Sequence, residues 1–188
     1  MSDTTLDGRQ ILVIVTNYGV EQDELLVPVR RLREDGAEVS IAAKTLDPIQ
    51  TVVGDRDPGE VVEPTITFKR LDPGAYQLLV IPGGTINADQ LRMQHRAVET
   101  IRAFAAFGRP IAAICHGPWA LVEAGVLKEK TLTSYPSLRT DIRNAGAKDW
   151  VDEAVVSDSA HGYTLITSRS PEDLDDFLGA IDKALVEL

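Results

Sequence analysis

The sequence predicts an α/β protein built on a doubly wound, mostly parallel sheet. Three observations predict it: short, nearly continuous apolar runs of strand length, helical spacing of apolar residues between those runs, and turn residues where one pattern gives way to the other. Strands without polar alternation are what a sheet covered on both faces requires.

Gln10 to Thr16 is the first such run, followed by the turn Asn17-Tyr18-Gly19. Residues Gln22 to Asp35 then carry Leu25, Leu26, Val29 and Leu32 at helical spacing and stop at Gly36. Pro28 inside that helix removes a backbone hydrogen bond and should bend the axis. Glu38 to Ala43 is the second strand. Lys44 to Lys69 changes to short β-rich pieces, Thr51 to Val53 and Val61 to Phe68, separated by Gly54-Asp55-Arg56-Asp57-Pro58-Gly59. This reads as a hairpin excursion from the main alternation. Tyr76 to Ile81 returns as a buried strand and runs directly into Pro82-Gly83-Gly84, with a helix from about Gln94 to Phe107 beyond.

Ile111 to Ile114 is a further apolar strand meeting Cys115-His116-Gly117-Pro118, before a helix that reaches about Ala124. Leu132 and Thr133 extend, Ser137 to Ala145 reads as helix, and Val151 to Ser168 as two strands around Ser159-Ala160-His161-Gly162. Pro171 opens a last amphipathic helix with Leu174, Phe177, Leu178, Ile181 and Leu185 on one side.

Composition fits one soluble domain over residues 1–188. The chain is 44% hydrophobic and 26% charged, enough to bury a full core without disulfides or metals. Nineteen basic against 29 acidic side chains give a net charge of −10, which argues against nucleic acid or an anionic membrane as the main partner. A single cysteine excludes an intrachain disulfide and a Cys-rich zinc site. Met1 to Arg9 is polar and acidic, without a basic segment followed by an apolar one, so it is expected to be a short flexible leader on a cytoplasmic chain. No Gly-x-Gly-x-x-Gly or Gly-x-x-x-x-Gly-Lys pattern is present, and no cofactor is expected.

Ligands of open α/β sheets bind beyond the carboxyl ends of the strands. Three segments fall there: Tyr18 to Glu24, Pro82 to Asp89, and Cys115 to Trp119. Ala113-Ile114-Cys115-His116-Gly117, a strand, one cysteine and a helix start, has the layout of a nucleophile elbow, although position 113 is Ala and not Gly. A helix N-terminus and a neighbouring imidazole both favour the thiolate there. A lone cysteine on an apolar strand is otherwise an inert core residue. His116 is a base only if the chain turns at Cys115, since successive strand residues face opposite ways; the plainer role is a helix cap. His95 and His161 are ordinary surface or turn histidines. Gly83 and Gly84 form a turn that lets backbone N–H groups approach a ligand, with the His116 N–H as a second oxyanion donor, and Pro-Gly-Gly is also a common plain turn. Glu21, Asp23 and Glu24 are accounted for as acids at a helix start, while Glu24 also sits where a buried carboxyl faces the thiol.

Six stretches together carry a resemblance: Gly19-Val20-Glu21-Gln22-Asp23-Glu24-Leu25, Leu79-Val80-Ile81-Pro82-Gly83-Gly84, Ala112-Ala113-Ile114-Cys115-His116-Gly117-Pro118, Ala124-Gly125-Val126-Leu127, Leu132-Thr133-Ser134-Tyr135-Pro136-Ser137 and Asn144-Ala145-Gly146-Ala147. From Gln10 to the C-terminal helix the chain resembles the ThiJ/PfpI superfamily, in particular its bacterial general-stress branch. The resemblance implies a flavodoxin-like three-layer sandwich that forms a homodimer or larger oligomer. It implies Cys115 as nucleophile, His116 as its partner and Glu24 as a hydrogen-bond partner of the thiol. It further implies an acid after the Pro-Gly-Gly turn, supplied by a neighbouring subunit, whose nearest match is Asp89, and it places Tyr135 in the lining of the site. Tyr18 and Trp119, flanking the same strand ends, are the remaining substrate-binding candidates.

Members of that superfamily include peptidases, deglycase or glyoxalase-like enzymes, chaperones and oxidation sensors. A thiolate beside an imidazole and an oxyanion-stabilising turn can add to a carbonyl carbon of an amide, an aldehyde or a sugar-like adduct. The expected activity is a stress-response cysteine hydrolase acting on a peptide, a glycated protein or a reactive carbonyl. The alternative is a non-enzymatic sensor or chaperone working through oxidation of Cys115. The adjacent histidine favours catalysis, because a sensor needs no base.

Overall fold

The computed structural model describes residues 6–186. Chain order is β1 (Gln10–Ile14), β2 (Tyr18–Glu21), α1 (Gln22–Glu34), β3 (Glu38–Ala43), β4 (Ile49–Val53), β5 (Asp57–Val62) and β6 (Ile66–Thr67). It continues with β7 (Leu78–Ile81), α2 (Thr85–Arg92), α3 (His95–Ala106), β8 (Ile111–Ile114), α4 (Pro118–Ala124), β9 (Thr131–Leu132) and α5 (Arg139–Asn144). The last elements are β10 (Asp149–Trp150), β11 (Val155–Asp158), β12 (Leu165–Ser168) and α6 (Leu174–Val186).

Seven strands make the main sheet in the order β11-β12-β8-β7-β1-β3-β6, parallel throughout except for the antiparallel edge strand β11. The continuous apolar runs are explained by two cores, one on each face. Ile11, Val13, Leu78, Val80, Ala112 and Ile114 face α1 and α6, in a cluster with Leu25, Leu32, Phe177 and Ile181. The alternate residues Leu12, Ile14, Leu79, Ile81, Ile111 and Ala113 pack against Leu91, Ile101, Phe104 and Leu121 of α2, α3 and α4. Each strand thus serves both outer layers of the three-layer sandwich, as the period of two in side-chain direction dictates.

Several expectations are adjusted. The α1 helix continues through the buried Pro28, and the carbonyl deprived of its helical donor belongs to Glu24, four residues earlier. Pro82 to Asp89 is not a loop to its end, because α2 begins at Thr85. The hairpin turn is shorter than the polar run implied: β5 already starts at Asp57, and β4 pairs with β5 on one side and β2 on the other in a separate three-stranded sheet. Of the segment read as leader, residues 1–5 lie outside the described residues. Leu6 is buried in the α1 core and its N–H donates to the Asp35 carbonyl, so residues from Leu6 onward are part of the fold.

Candidate active site

Cys115 is the turning point between β8 and α4. Its φ is +60°, a left-handed conformation rare for a residue with a side chain and costing about 1–3 kcal/mol. Neighbouring backbone holds it there. The Cys115 N–H donates to the Ser168 carbonyl at the end of β12 (3.0 Å), its carbonyl accepts from Tyr135 N–H (2.9 Å), and Gly117 N–H donates to Ile114 (2.8 Å). Because the chain turns, the two adjacent side chains meet: His116 Nδ1 lies 3.2 Å from Cys115 Sγ. Both residues are buried, at 6% and 5% exposure.

The imidazole is held on all sides. Its ring stacks on Tyr135, with centroids 4.5 Å apart and planes at 25°, and Trp119 stands 5.9 Å away, tilted by 56°. His116 Nε2 is 3.3 Å from Thr85 Oγ1 and 3.5 Å from Ser137 Oγ. Trp119 is itself tethered by donation from Nε1 to Asp141 (2.7 Å).

Glu24, on the first turn of α1, is fully buried behind the thiol. One oxygen accepts the Gly83 N–H at 2.7 Å. The other, Oε1, is buried with no hydrogen-bond partner among nitrogens and oxygens of the described residues. The carboxyl group and the Cys115 thiol are close neighbours. Burial pushes the Glu24 carboxyl up to about 8, and the Gly83 and Cys115 contacts only partly offset it. Burial, then the charge of an ionised Glu24, pushes the Cys115 thiol up as well, with the backbone N–H of His116 opposing. Burial lowers His116, against the pull of Asp55. These directions favour the protonated carboxyl and thiol and the uncharged imidazole.

Gly83 and Gly84 play different parts. A Cβ on Gly83 would stand 2.7 Å from both Glu24 Oε2 and the His116 nitrogen and 2.9 Å from Cys115 Cβ, so this position is glycine because the turn, the acid and the elbow touch. Its N–H, expected to serve a ligand, is committed to Glu24. Gly84 has φ +80° and a Cβ there would strike the Gly19 carbonyl at 2.2 Å. The Gly84 N–H, unlike that of Gly83, makes no hydrogen bond among the described residues. Asn87 fixes the turn: its Oδ1 accepts from the N–H (2.7 Å) and hydroxyl (3.1 Å) of Thr16, and its Nδ2 donates to the Pro82 (3.3 Å) and Gly83 (2.9 Å) carbonyls.

Of the remaining candidates, Tyr135 lines the imidazole as described. Tyr18 is 52% exposed and belongs to a separate cleft of about 330 Å³ with Ile86, Gln90 and Lys44. Asp89 is exposed on α2, where it accepts from Gln90, and it forms no ion pair with His116 within the chain. The carboxylate that does approach His116 is Asp55, with Oδ2 4.0 Å from Nδ1. It sits on the β4–β5 turn, and the sequence offers only a turn signal there. Glu21 is the second correction: its carboxylate is not merely complementing a helix end but accepts the N–H groups of Gly54 (2.9 Å) and Asp55 (3.0 Å). Asp23 alone keeps the helix-start role, exposed in the first turn. His95 and His161 are exposed and remote from this chemistry. Among the described residues no group of three His, Cys, Asp or Glu side chains is placed to hold a metal ion.

Residues 9–184 match the DJ-1/PfpI family. The chain is 39% identical to Deglycase PfpI of Pyrococcus furiosus, an alignment covering 82% of this chain and 86% of that protein. It is 36% identical to General stress protein 18 of Bacillus subtilis, covering 90% and 94% respectively. Among solved structures, DJ-1beta of Drosophila melanogaster superposes with a TM-score of 0.82 at 29% identity, over 94% of this chain and 90% of that one. A family match over residues 9–184, relatives at 36–39% identity over most of both chains and a shared fold lead to one conclusion: this chain belongs to the DJ-1/PfpI family.

Proposed function

We propose that this protein is a cysteine-dependent hydrolase acting at a carbonyl carbon, with Cys115 as nucleophile and His116 as its base. The observation that carries the reading is the 3.2 Å approach of His116 Nδ1 to Cys115 Sγ at a strained turn beside a glycine turn. In the first step Sγ–H gives its proton to Nδ1, the sulfur–carbon bond forms, and the carbonyl π pair moves to oxygen, where the N–H groups of Gly84 and His116 stabilise it. The imidazolium then protonates the departing amine, and water attacks the sulfur-bound carbon to release the second product. The full sequence releases the amine of an amide; a carbonyl adduct on an amine shares with it the proton transfer to Nδ1 and the addition of sulfur to the carbonyl. The relatives named deglycase support the adduct as substrate class. Self-association and a cytoplasmic setting belong to the same reading; the exposed apolar side chains Tyr18, Ile86 and Met93 supply surface for the former.

A second reading has one observation in its favour. With Glu24 protonated beside the sulfur, an oxidised Cys115 formed by a peroxide would find a hydrogen-bond donor. Parallel assays of purified protein on an unfolded peptide, methylglyoxal and a glycated amine separate the two. Cys115→Ser is expected to abolish turnover and keep the unfolding transition; retained turnover places the chemistry elsewhere. His116→Ala is expected to lower turnover far more than it changes peroxide sensitivity, and the reverse order favours the sensor.

A further inference from the structure

The β4–β5 hairpin lies outside the main sheet, yet it delivers a carboxylate to the imidazole. Asp55 Oδ1 accepts the Thr85 N–H at 2.6 Å, and Oδ2 accepts the Thr85 hydroxyl at 2.8 Å. An ionised carboxylate can only accept, so the Thr85 proton is committed to Asp55 and the Thr85 oxygen presents a lone pair to His116 Nε2, 3.3 Å away. With the hydrogen on Nε2 and donated to that oxygen, the Nδ1 lone pair faces Cys115 Sγ. This arrangement of protons satisfies the contacts from Asp55 through Thr85 to the sulfur, and in it the imidazole can take the thiol proton.

The hairpin tip is fixed for this. Asp55 has φ +58°, a conformation Asp tolerates better than most residues, and the two carboxylate oxygens of Glu21 hold the Gly54 and Asp55 N–H groups. Glu21 immediately precedes α1, which carries Glu24. The same junction therefore anchors the acid behind the sulfur and the loop in front of the imidazole.

We propose that Asp55, acting through Thr85, is the positioning carboxylate of His116, and that it comes from the same chain. It orients the ring, selects the tautomer with hydrogen on Nε2, and stabilises the imidazolium formed when Nδ1 takes the proton, as the buried acid does in other nucleophile–histidine–acid sites. The titratable groups around His116 are Asp55 on the hairpin, Cys115 on the elbow, Tyr135 after β9 and, behind the thiol, Glu24; Thr85 and Ser137 are neutral. This inference rests on the cysteine–histidine reading above.

The test uses the full chain, whose single thiol makes alkylation by iodoacetamide a direct probe of Cys115 that needs no substrate. Alkylation rate against pH and turnover on whichever of the three substrates is accepted are measured for Asp55→Asn, Thr85→Val, Thr85→Ser and the double variant Asp55→Asn/Thr85→Val. Asp55→Asn is expected to move the acidic limb of both profiles to lower pH, because the negative charge that raises the His116 imidazole is gone. Asp55→Asn and Thr85→Val are each expected to cut turnover about tenfold or more, with the double variant no worse than the poorer single one. Thr85→Ser is expected to recover most of the rate, and Asp57→Asn on the same hairpin is expected to match wild type. Unshifted profiles and near wild-type turnover in folded Asp55→Asn and Thr85→Val, with Cys115→Ser inactive, overturn the relay alone. Turnover surviving in Cys115→Ser overturns the underlying reading instead, and the alkylation profiles still decide the relay.

Discussion

Glu24 exchanges water for apolar neighbours and keeps one backbone N–H, a poor return for a charge, so it holds its proton to about pH 8 against an ordinary value of 4.5. The folded chain then binds one proton more than the unfolded chain between those values. Its stabilising contribution is complete below about 4.5 and lost as pH rises through 8, roughly 5 kcal/mol over the interval. Glu24→Gln keeps the acceptor for Gly83 and a donor for the sulfur but removes the titration. Its melting temperature is expected to exceed that of wild type at pH 8.5 and to converge with it at pH 5; parallel curves would show that Glu24 ionises normally. Cys115, His116 and Glu24 were legible in the sequence because local features mark them: a strand end, a glycine after a histidine, an acid at a helix start. Asp55 was not. A carboxylate on a polar turn has no sequence property separating it from the other acids of the chain, and only its distance to a residue 61 positions later singles it out.

At the scale of elements, the turn after β7 and the elbow after β8 are one construction. Pro82-Gly83-Gly84 is held against the end of β1 by Asn87, whose four hydrogen bonds to Thr16, Pro82 and Gly83 are all buried. Asn87→Ala leaves the Thr16 N–H and two carbonyls without partners and is expected to cost about 3 kcal/mol or more, seen as a lower urea midpoint, together with slower alkylation of Cys115 as the turn relaxes. Loss of stability without any change in thiol reactivity would separate the turn from the elbow. The α2 helix that carries Asn87 escaped the sequence reading for a plain reason. Its eight residues follow two glycines and contribute three buried side chains, too few for a helical period to stand out from a polar loop. The hairpin was recognised, but its extent was not, because Asp57-Pro58-Gly59 pairs as an edge strand despite its turn-like composition.

In the whole molecule, parallel strands feed both outer layers, and the distal end is closed by Lys130. This fully buried ammonium donates to the carbonyls of Asp158 (3.2 Å), Ala160 and Tyr163, lies 3.8 Å from the Asp158 carboxylate and 4.1 Å over the Tyr163 ring, and so ties β9 to the β11–β12 hairpin. Lys130→Met fills the volume but leaves three carbonyls unpaired; a loss of about 3 kcal/mol is expected by chemical denaturation, with the pH profile of Cys115 alkylation unchanged. The sequence by itself determined the alternation of strands and helices, the doubly covered sheet and the cysteine at a strand end, because each follows from residue order over a few positions. Tertiary structure alone decided that Gly83 spends its N–H on Glu24, 59 residues away, and that Asp55 reaches Thr85, 30 residues away. Those contacts depend on where the turns bring separate strand ends together in space, and no local period or spacing encodes that distance.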